Sequence, residues 1–306
     1  MVKIVSYIKH HIEYIVFIVL LLMLIYVLSN RYFENFFTEQ HGINRLDAII
    51  YINLENRADR KDLLLKELET LNTNMSKVHK ISGVYIPKNG HKGCIQSHIL
   101  ALNMCKLNNW DRVLILEDDA QLTTSPEIFN NIINKTLDYL DTLDATNKQS
   151  THSTHSTQQT SEDMQINNGL NNGLNNGWDV IMLATANKII SNTTTYNKTL
   201  DIDIPITPEQ EQEQERKQTL KLEKITSATT SSAYIVKNNY IDKILNLFKV
   251  CNNNMQHGKL SSNNHETYAL DQQWFTLQQQ DNWFALSQDP IKQREIWSTT
   301  MSQSHT

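Results

Sequence analysis

Three adjacent carboxylates, Glu117-Asp118-Asp119, follow directly on four aliphatic residues, Val113-Leu114-Ile115-Leu116. Side-by-side carboxylates repel one another. Water or a divalent cation relieves the repulsion, and hard oxygen ligands suit Mg2+ or Mn2+. A solvated acidic turn fits these residues equally well. Other chemistry-bearing residues lie elsewhere in the chain. Arg57 and Arg60 stand where a loop becomes a helical pattern. A guanidinium fork there can meet a phosphate or a carboxylate, or simply bridge to Asp59 or Asp62 in solvent. Ser97 and His98 lie near the start of a second helical pattern, and helix N-termini favour anions such as a nucleotide diphosphate. His98 also fits a helix-surface histidine with no duty. Asp271 falls in the first turn of another helical pattern, where a lone aspartate is most often a cap.

These residues need elements to hold them. An uninterrupted, β-branched-rich run such as Val113–Leu116 reads as a strand buried on both faces of a parallel or mixed sheet. The acids then fall at its carboxyl end, where open α/β sheets bind ligands. Asp47–Leu54 is another strand, and Leu64, Leu68 and Leu71 behind it make the apolar stripe of an amphipathic helix. Strand, loop, helix is the opening of an α/β unit. A short strand at Val78–Ile81 precedes a helix with Ile95, Ile99 and Leu102 on one face. Ser125-Pro126 supplies an N-cap and a first-turn proline for a helix to about Leu143. Trp178–Leu183, Ser231–Val236 and Trp283–Leu286 read as strands, and Ile241, Ile244, Leu245 and Phe248 as a helix face.

The chain of 306 residues is long enough for one large domain or two small ones. Its net charge of -5, with no long basic run, argues against nucleic acid as a partner. Cys94, Cys105 and Cys251 have no metal-like spacing. On one continuous helix Cys94 and Cys105 stand about 16 Å apart and cannot bridge; one of them could still pair with Cys251, but three unpaired thiols packed as small apolar residues are expected. Tyr14–Leu28 is uncharged and almost wholly aliphatic, close to the lower length limit for a spanning helix. Lys3 and Lys9 before it favour a cytosolic amino end. The organisation expected is a tail and signal anchor over 1–30, an aromatic stem over 31–46, a catalytic domain over 47–299 and a tail over 300–306. Polar, low-complexity insertions interrupt the domain at about 147–177 and 191–218. Sequons stand at Asn74, Asn134, Asn192 and Asn197.

Taken in order, these pieces resemble glycosyltransferase family 25, which holds bacterial lipopolysaccharide glycosyltransferases and procollagen galactosyltransferases. The residues that carry the resemblance are Ile52-Asn53-Leu54 with Arg57 and Arg60; Ser82-Gly83-Val84; Gly93-Cys94 with Ser97-His98; Leu114–Ala120; Trp178-Asp179 with Leu183; Ala233-Tyr234; Asp271; and Pro290, Gln293 and Ser298. The resemblance implies an α/β fold of the GT-A type and transfer of a hexose from a nucleotide sugar, galactose or glucose from a uridine diphosphate donor. The acceptor would be a glycan, a lipopolysaccharide-like molecule or a hydroxylysine-type protein site. It implies Mn2+ or Mg2+ as cofactor, with Asp119 and Glu117 as metal ligands. Glu117 and Asp118 would hold the nucleoside or metal-bound water. Asn53, Arg57 and Arg60 would lie near the nucleotide, and Ser97 and His98 near its phosphates or ribose. Asp271 would take the acceptor proton in an inverting enzyme. A single-pass membrane protein with a lumenal catalytic domain is expected, in the endoplasmic reticulum, the Golgi or an equivalent membrane. The rival reading is an inactive, membrane-tethered relative that binds glycan or a partner enzyme. A metal-dependent hydrolase ranks last, because His98 is the only well-placed histidine.

Overall fold

The computed structural model describes residues 16–27, 41–87, 89–153, 177–192, 197–204, 218–257 and 266–295. Its elements begin with helix α1 (16–27). Then come β1 (Ala48–Asn53), α2 (Ala58–Thr70), β2 (Val78–Ser82), α3 (Gly90–Asn108), β3 (Arg112–Glu117), β4 (Ala120–Leu122) and α4 (Pro126–Ser153). The second half contains β5 (Val180–Met182), β6 (Ala186–Ile190), β7 (Lys198–Ile204), β8 (Gln218–Thr229) and β9 (Ala233–Lys237). It ends with α5 (Asn238–His257), α6 (Leu270–Gln273), α7 (Phe275–Gln280), β10 (Trp283–Leu286) and β11 (Ile291–Gln293).

The fold is mixed α/β. Among the described residues a nine-stranded sheet runs in the order β2-β1-β3-β9-β5-β10-β8-β6, with β7 also paired to β8. β1, β2 and β3 are parallel, whereas β9 is antiparallel to β3. β4 and β11 form a separate antiparallel pair.

Both faces of the sheet are covered, which explains why its central strands are aliphatic without alternation. Ile49 and Tyr51 of β1 and Leu114 and Leu116 of β3 face one core. That core is closed by Leu64 and Leu68 of α2 and by Phe129, Ile133 and Leu137 of α4. The alternate residues, Ile50, Ile52, Val113 and Ile115, face a second core. Ile95 and Leu102 of α3 and Ile241, Ile244 and Phe248 of α5 close it. Burying each such side chain stabilises the fold by about 1.5–3 kcal/mol.

Several boundaries differ from the sequence reading. The domain starts before 47. Ile43 and Leu46, assigned to a stem, are fully buried, and Asn130 and Asn134 of α4 accept the Ile43 and Gly42 backbone N–H groups. α4 runs past Leu143 to Ser153, because no glycine or proline interrupts it there. The segment 191–218, expected as a polar insertion, contributes β7. Its Leu200-Asp201-Ile202-Asp203-Ile204 alternates with the period of a strand. β8 begins at Gln218, at the end of the same insertion, and α5 continues through His257. The bulk of the 147–177 insertion, most of the stem and the tail after 299 lie outside the described residues. Of the anchor, α1 shows twelve exposed residues. No helix among the described residues is long and apolar enough to cross a membrane.

Candidate active site

Three parallel strands bring their carboxyl ends to one edge. Asn53 ends β1, Ser82 ends β2 and Glu117 ends β3, with Asn53 opposite Ser82 and Ile52 opposite Glu117. β9 begins at the same edge, and Ser232 O accepts the Glu117 N–H at 2.8 Å. β11 returns there from the far end of the chain. Gln293 pairs with Ala120, and Arg294 N–H donates to Asp119 O at 2.7 Å. The result is a pocket of about 110 Å³ lined by Arg60, Gly83, Gly90, Cys94, Ser97, His98, Glu117, Asp118, Asp119 and Gln293, among others.

Two of the acids face one cluster. Asp118 accepts from Asn53 Nδ2 at 2.9 Å and from Arg60 Nη1 at 2.9 Å. Asp119, 4% exposed, accepts at Oδ2 from Gln293 Nε2 at 3.0 Å and from Arg60 Nη1 at 3.3 Å. Its Oδ1 is buried with no hydrogen-bond partner among the described residues. Burial, reinforced by the negative charge of Glu117, pushes the Asp119 carboxyl up to about 7, against the opposing pull of Gln293 and Arg60. One arginine thus serves two buried carboxylates, and one oxygen of the pocket-lining Asp119 is left without a donor among the described residues.

Glu117 is held by a different set of neighbours. Its Oε1 meets His98 Nε2 at 3.3 Å, the Ser231 hydroxyl and Cys94 Sγ at 4.0 Å. Burial would raise this carboxyl, yet the hydrogen bonds from His98 and Ser231 hold it below its ordinary value. His98 is fully buried, stacked on Tyr234, whose hydroxyl lies 3.0 Å from Nδ1. With the proton on Nε2, the imidazole donates to Glu117 and accepts from Tyr234. Ser231 is delivered by a strained turn: Thr230 sits at φ 85, a left-handed conformation that is costly for a β-branched residue. Asp271 Oδ2 accepts the Thr230 N–H at 3.1 Å and clamps that turn.

The family model described as glycosyltransferase family 25 (LPS biosynthesis protein) matches residues 88–260, more than half of the chain. The chain belongs to glycosyltransferase family 25. Among solved structures, the crystal structure of mannose-1-phosphate geranyltransferase from Thermus thermophilus is similar at 9% identity with a TM-score of 0.32. The match covers 82% of this chain and 75% of that one, and at this score it carries no argument. No curated protein matches the sequence.

In this family 25 glycosyltransferase the structure brings together Asn53, Arg60, His98, Glu117, Asp118 and Asp119. Three further sequence candidates have other engagements. Arg57 forks onto Asp59, at 3.0 and 2.9 Å, which is the solvent bridge weighed as its alternative. Ser97 lines the pocket, but its hydroxyl accepts from Val84 N–H and donates to Gly93 O, bolting the 83–86 loop to α3. Asp271 lies outside the residues that line the pocket and braces Thr230 instead. Sequence reasoning gave no role to Gln293, Ser231, Tyr234 or Cys94. Cys94, Tyr234 and Gln293 were signalled only by membership in the ordered series of motifs, and Ser231 by nothing beyond its place at the start of a strand.

Proposed function

We propose that this glycosyltransferase moves a hexose, galactose or glucose, from a uridine diphosphate sugar to a hydroxyl of a glycan, a lipopolysaccharide-like molecule or a hydroxylysine-type protein acceptor. We assign the fold to the GT-A type, a reading supported by the acid motif at the carboxyl edge of parallel β1, β2 and β3. The observation that carries the functional reading is the pocket-lining Asp119 carboxylate, whose buried Oδ1 has no hydrogen-bond partner among the described residues. A carboxylate oxygen denied any donor inside the protein is a fit for a hard cation.

Asp119 would be the principal ligand of Mn2+ or Mg2+, with Glu117 beside it. When bound, such an ion supplies positive charge against the departing diphosphate. The chain's own residues prepare the site. Arg60 offsets the repulsion between Asp118 and Asp119 and adds a fixed positive charge. Asn53 fixes Asp118, and Gln293 fixes Asp119. Asn53, Arg60 and the 83–86 loop, bolted down by Ser97, form the wall on the nucleotide side, with Arg57 behind them. Asp271, half-buried beside the Ser231 turn, takes the acceptor proton if the transfer inverts. The stretch Tyr14–Leu28 anchors the enzyme in a membrane with the catalytic domain lumenal, a reading supported by the exposed apolar residues of α1.

Calorimetric titration of the full chain in detergent with uridine diphosphate, with and without Mn2+, tests the proposal. The expected result is binding that requires Mn2+ and is lost in Asp119→Asn. A folded chain that binds no nucleotide under either condition refutes it and leaves the inactive, glycan- or partner-binding relative.

A further inference from the structure

We propose that Cys94, His98 and Glu117 form a binding site for a borderline transition-metal cation, Zn2+ in particular, adjacent to the hard-cation position at Asp119 and sharing the Glu117 carboxylate with it. Cys94 and His98 are four residues apart on α3 and so project from one face of that helix, toward the end of β3. The thiol sulfur, an imidazole nitrogen and a carboxylate oxygen lie within 4.8 Å of one another.

Two of the three spacings come close to those of a tetrahedral ion. With metal–nitrogen and metal–oxygen bonds of about 2.1 Å, two such ligand atoms stand roughly 3.4 Å apart, and sulfur and oxygen roughly 3.6 Å. His98 Nε2 and Glu117 Oε1 are 3.3 Å apart, and Cys94 Sγ and Glu117 Oε1 are 4.0 Å apart. The first is long for a charge-assisted hydrogen bond, which closes to about 2.8 Å when nothing holds the partners apart. Supporting contacts are also present. Tyr234 hydroxyl fixes His98 through Nδ1, its ring stacks on the imidazole at 5.8 Å, and Phe248 meets it edge-on at 6.3 Å. Ser231 orients Glu117. Outer partners of this kind set the tautomer and direction of a metal-ligating histidine.

All three ligands line the pocket, so an ion has a path in and a water can complete the shell. A sulfur and an imidazole select Zn2+ over Mn2+ or Mg2+, while the open oxygen of Asp119 does the reverse. On binding, the Cys94 thiol proton leaves to solvent and a sulfur–metal bond replaces it. The Nε2 proton leaves to solvent and the metal takes its place, while Nδ1 takes a proton from solvent, so the ring stays neutral and Nδ1–H donates to the Tyr234 oxygen, since a phenol both donates and accepts.

The test uses the full chain in detergent, stripped of metal and titrated with Co2+ as a spectroscopic substitute for Zn2+. Wild type should give a thiolate-to-cobalt charge-transfer band that Zn2+ bleaches and excess Mn2+ does not. Cys94→Ser should lose the band, and His98→Gln should weaken the apparent affinity by about tenfold or more. Asp119→Asn should keep the band, and near-ultraviolet circular dichroism confirms that each variant is folded. If His98→Gln fails to fold, Cys94→Ala carries the test. Absence of the band in wild type, or its persistence in Cys94→Ser, overturns the inference. A chain that binds uridine diphosphate with Mn2+ yet shows no cobalt band overturns this site alone and leaves the transferase reading standing.

Discussion

Arg60→Met weighs the acid cluster directly. Arg60 is 6% exposed, and its Nη1 is shared between Asp118 at 2.9 Å and Asp119 at 3.3 Å. Methionine keeps much of the aliphatic reach, so the substitution removes mainly the charge and its hydrogen bonds. Asp118 and Asp119 are then left with the neutral amides of Asn53 and Gln293. Removing one partner of a buried ion pair costs about 3–5 kcal/mol. Whole domains are stable by about 5–15 kcal/mol, so the loss is a large fraction of the total. The dependence on pH has a definite sign. Asp119 is pushed up to about 7 in the folded protein, against about 4 for an unfolded aspartate. A carboxyl raised in this way favours the folded state below about pH 4, and that contribution is lost as pH rises through about 7. Losing Arg60 raises the folded value further, so the deficit of the variant is largest on the alkaline side and shrinks as Asp119 takes a proton. Urea unfolding of the full chain, with chelator present, at about pH 8 and about pH 5 reads both quantities. A deficit below about 1 kcal/mol, or one equal at the two pH values, refutes the reasoning that Arg60 compensates buried charge. Adding Asp118→Asn to Arg60→Met should recover part of the loss, as expected for groups in one network.

Other substitutions test separate contacts. Gln293→Ala removes the donor to Asp119 Oδ2 and should cost about 1–3 kcal/mol, read from the urea midpoint, with weaker Mn2+-dependent nucleotide binding. Gly93→Ala would place a Cβ 2.3 Å from Val84 O, a backbone atom that must move. It should lower stability by about 1–3 kcal/mol and loosen the 83–86 loop, and an unchanged melting temperature counts against this account. Asp179 is pushed up to about 6 by burial, while the Asn282 N–H that it accepts opposes the shift. Its stabilising contribution is present below about pH 4 and lost as pH rises through about 6, so Asp179→Asn should unfold at higher urea than wild type at about pH 7 and lose that advantage at about pH 4. A difference that does not change with pH rules this out.

The sheet was legible where local pattern and tertiary role agree. Val113–Leu116 became β3 because both faces are covered, and the Leu64, Leu68 and Leu71 stripe became the buried side of α2 and its end. Placing the acids at the carboxyl end of β3 followed from strand direction alone. β7 escaped notice because its alternation is embedded in a Thr- and Asn-rich segment, and composition over a long window masks a two-residue period sustained over only seven residues. The extension of α4 to Ser153 was hidden in the same way by low complexity. Inside the site, Asn53, Arg60 and the three acids were readable because each sits at the end of a strand or the start of a helix. Tyr234 behind His98 and Gln293 against Asp119 were not, because those partners are set by antiparallel registers far apart in sequence. Asp271 and Ser97 had the right types and positions, yet their polar groups meet backbone donors that no spacing rule reveals.

The closure of the site by β11 has a consequence for biosynthesis. Gln293 lies 174 positions after Asp119. At about 5–20 residues per second the ribosome needs roughly 10–35 s to make the intervening chain. Throughout that interval the sheet around β1 and β3 can assemble, but Asp119 lacks its amide partner and the pocket lacks one wall. Competence is therefore deferred until β11 has been made. A nascent fragment stalled before Ile291 is an inert precursor, however complete its core.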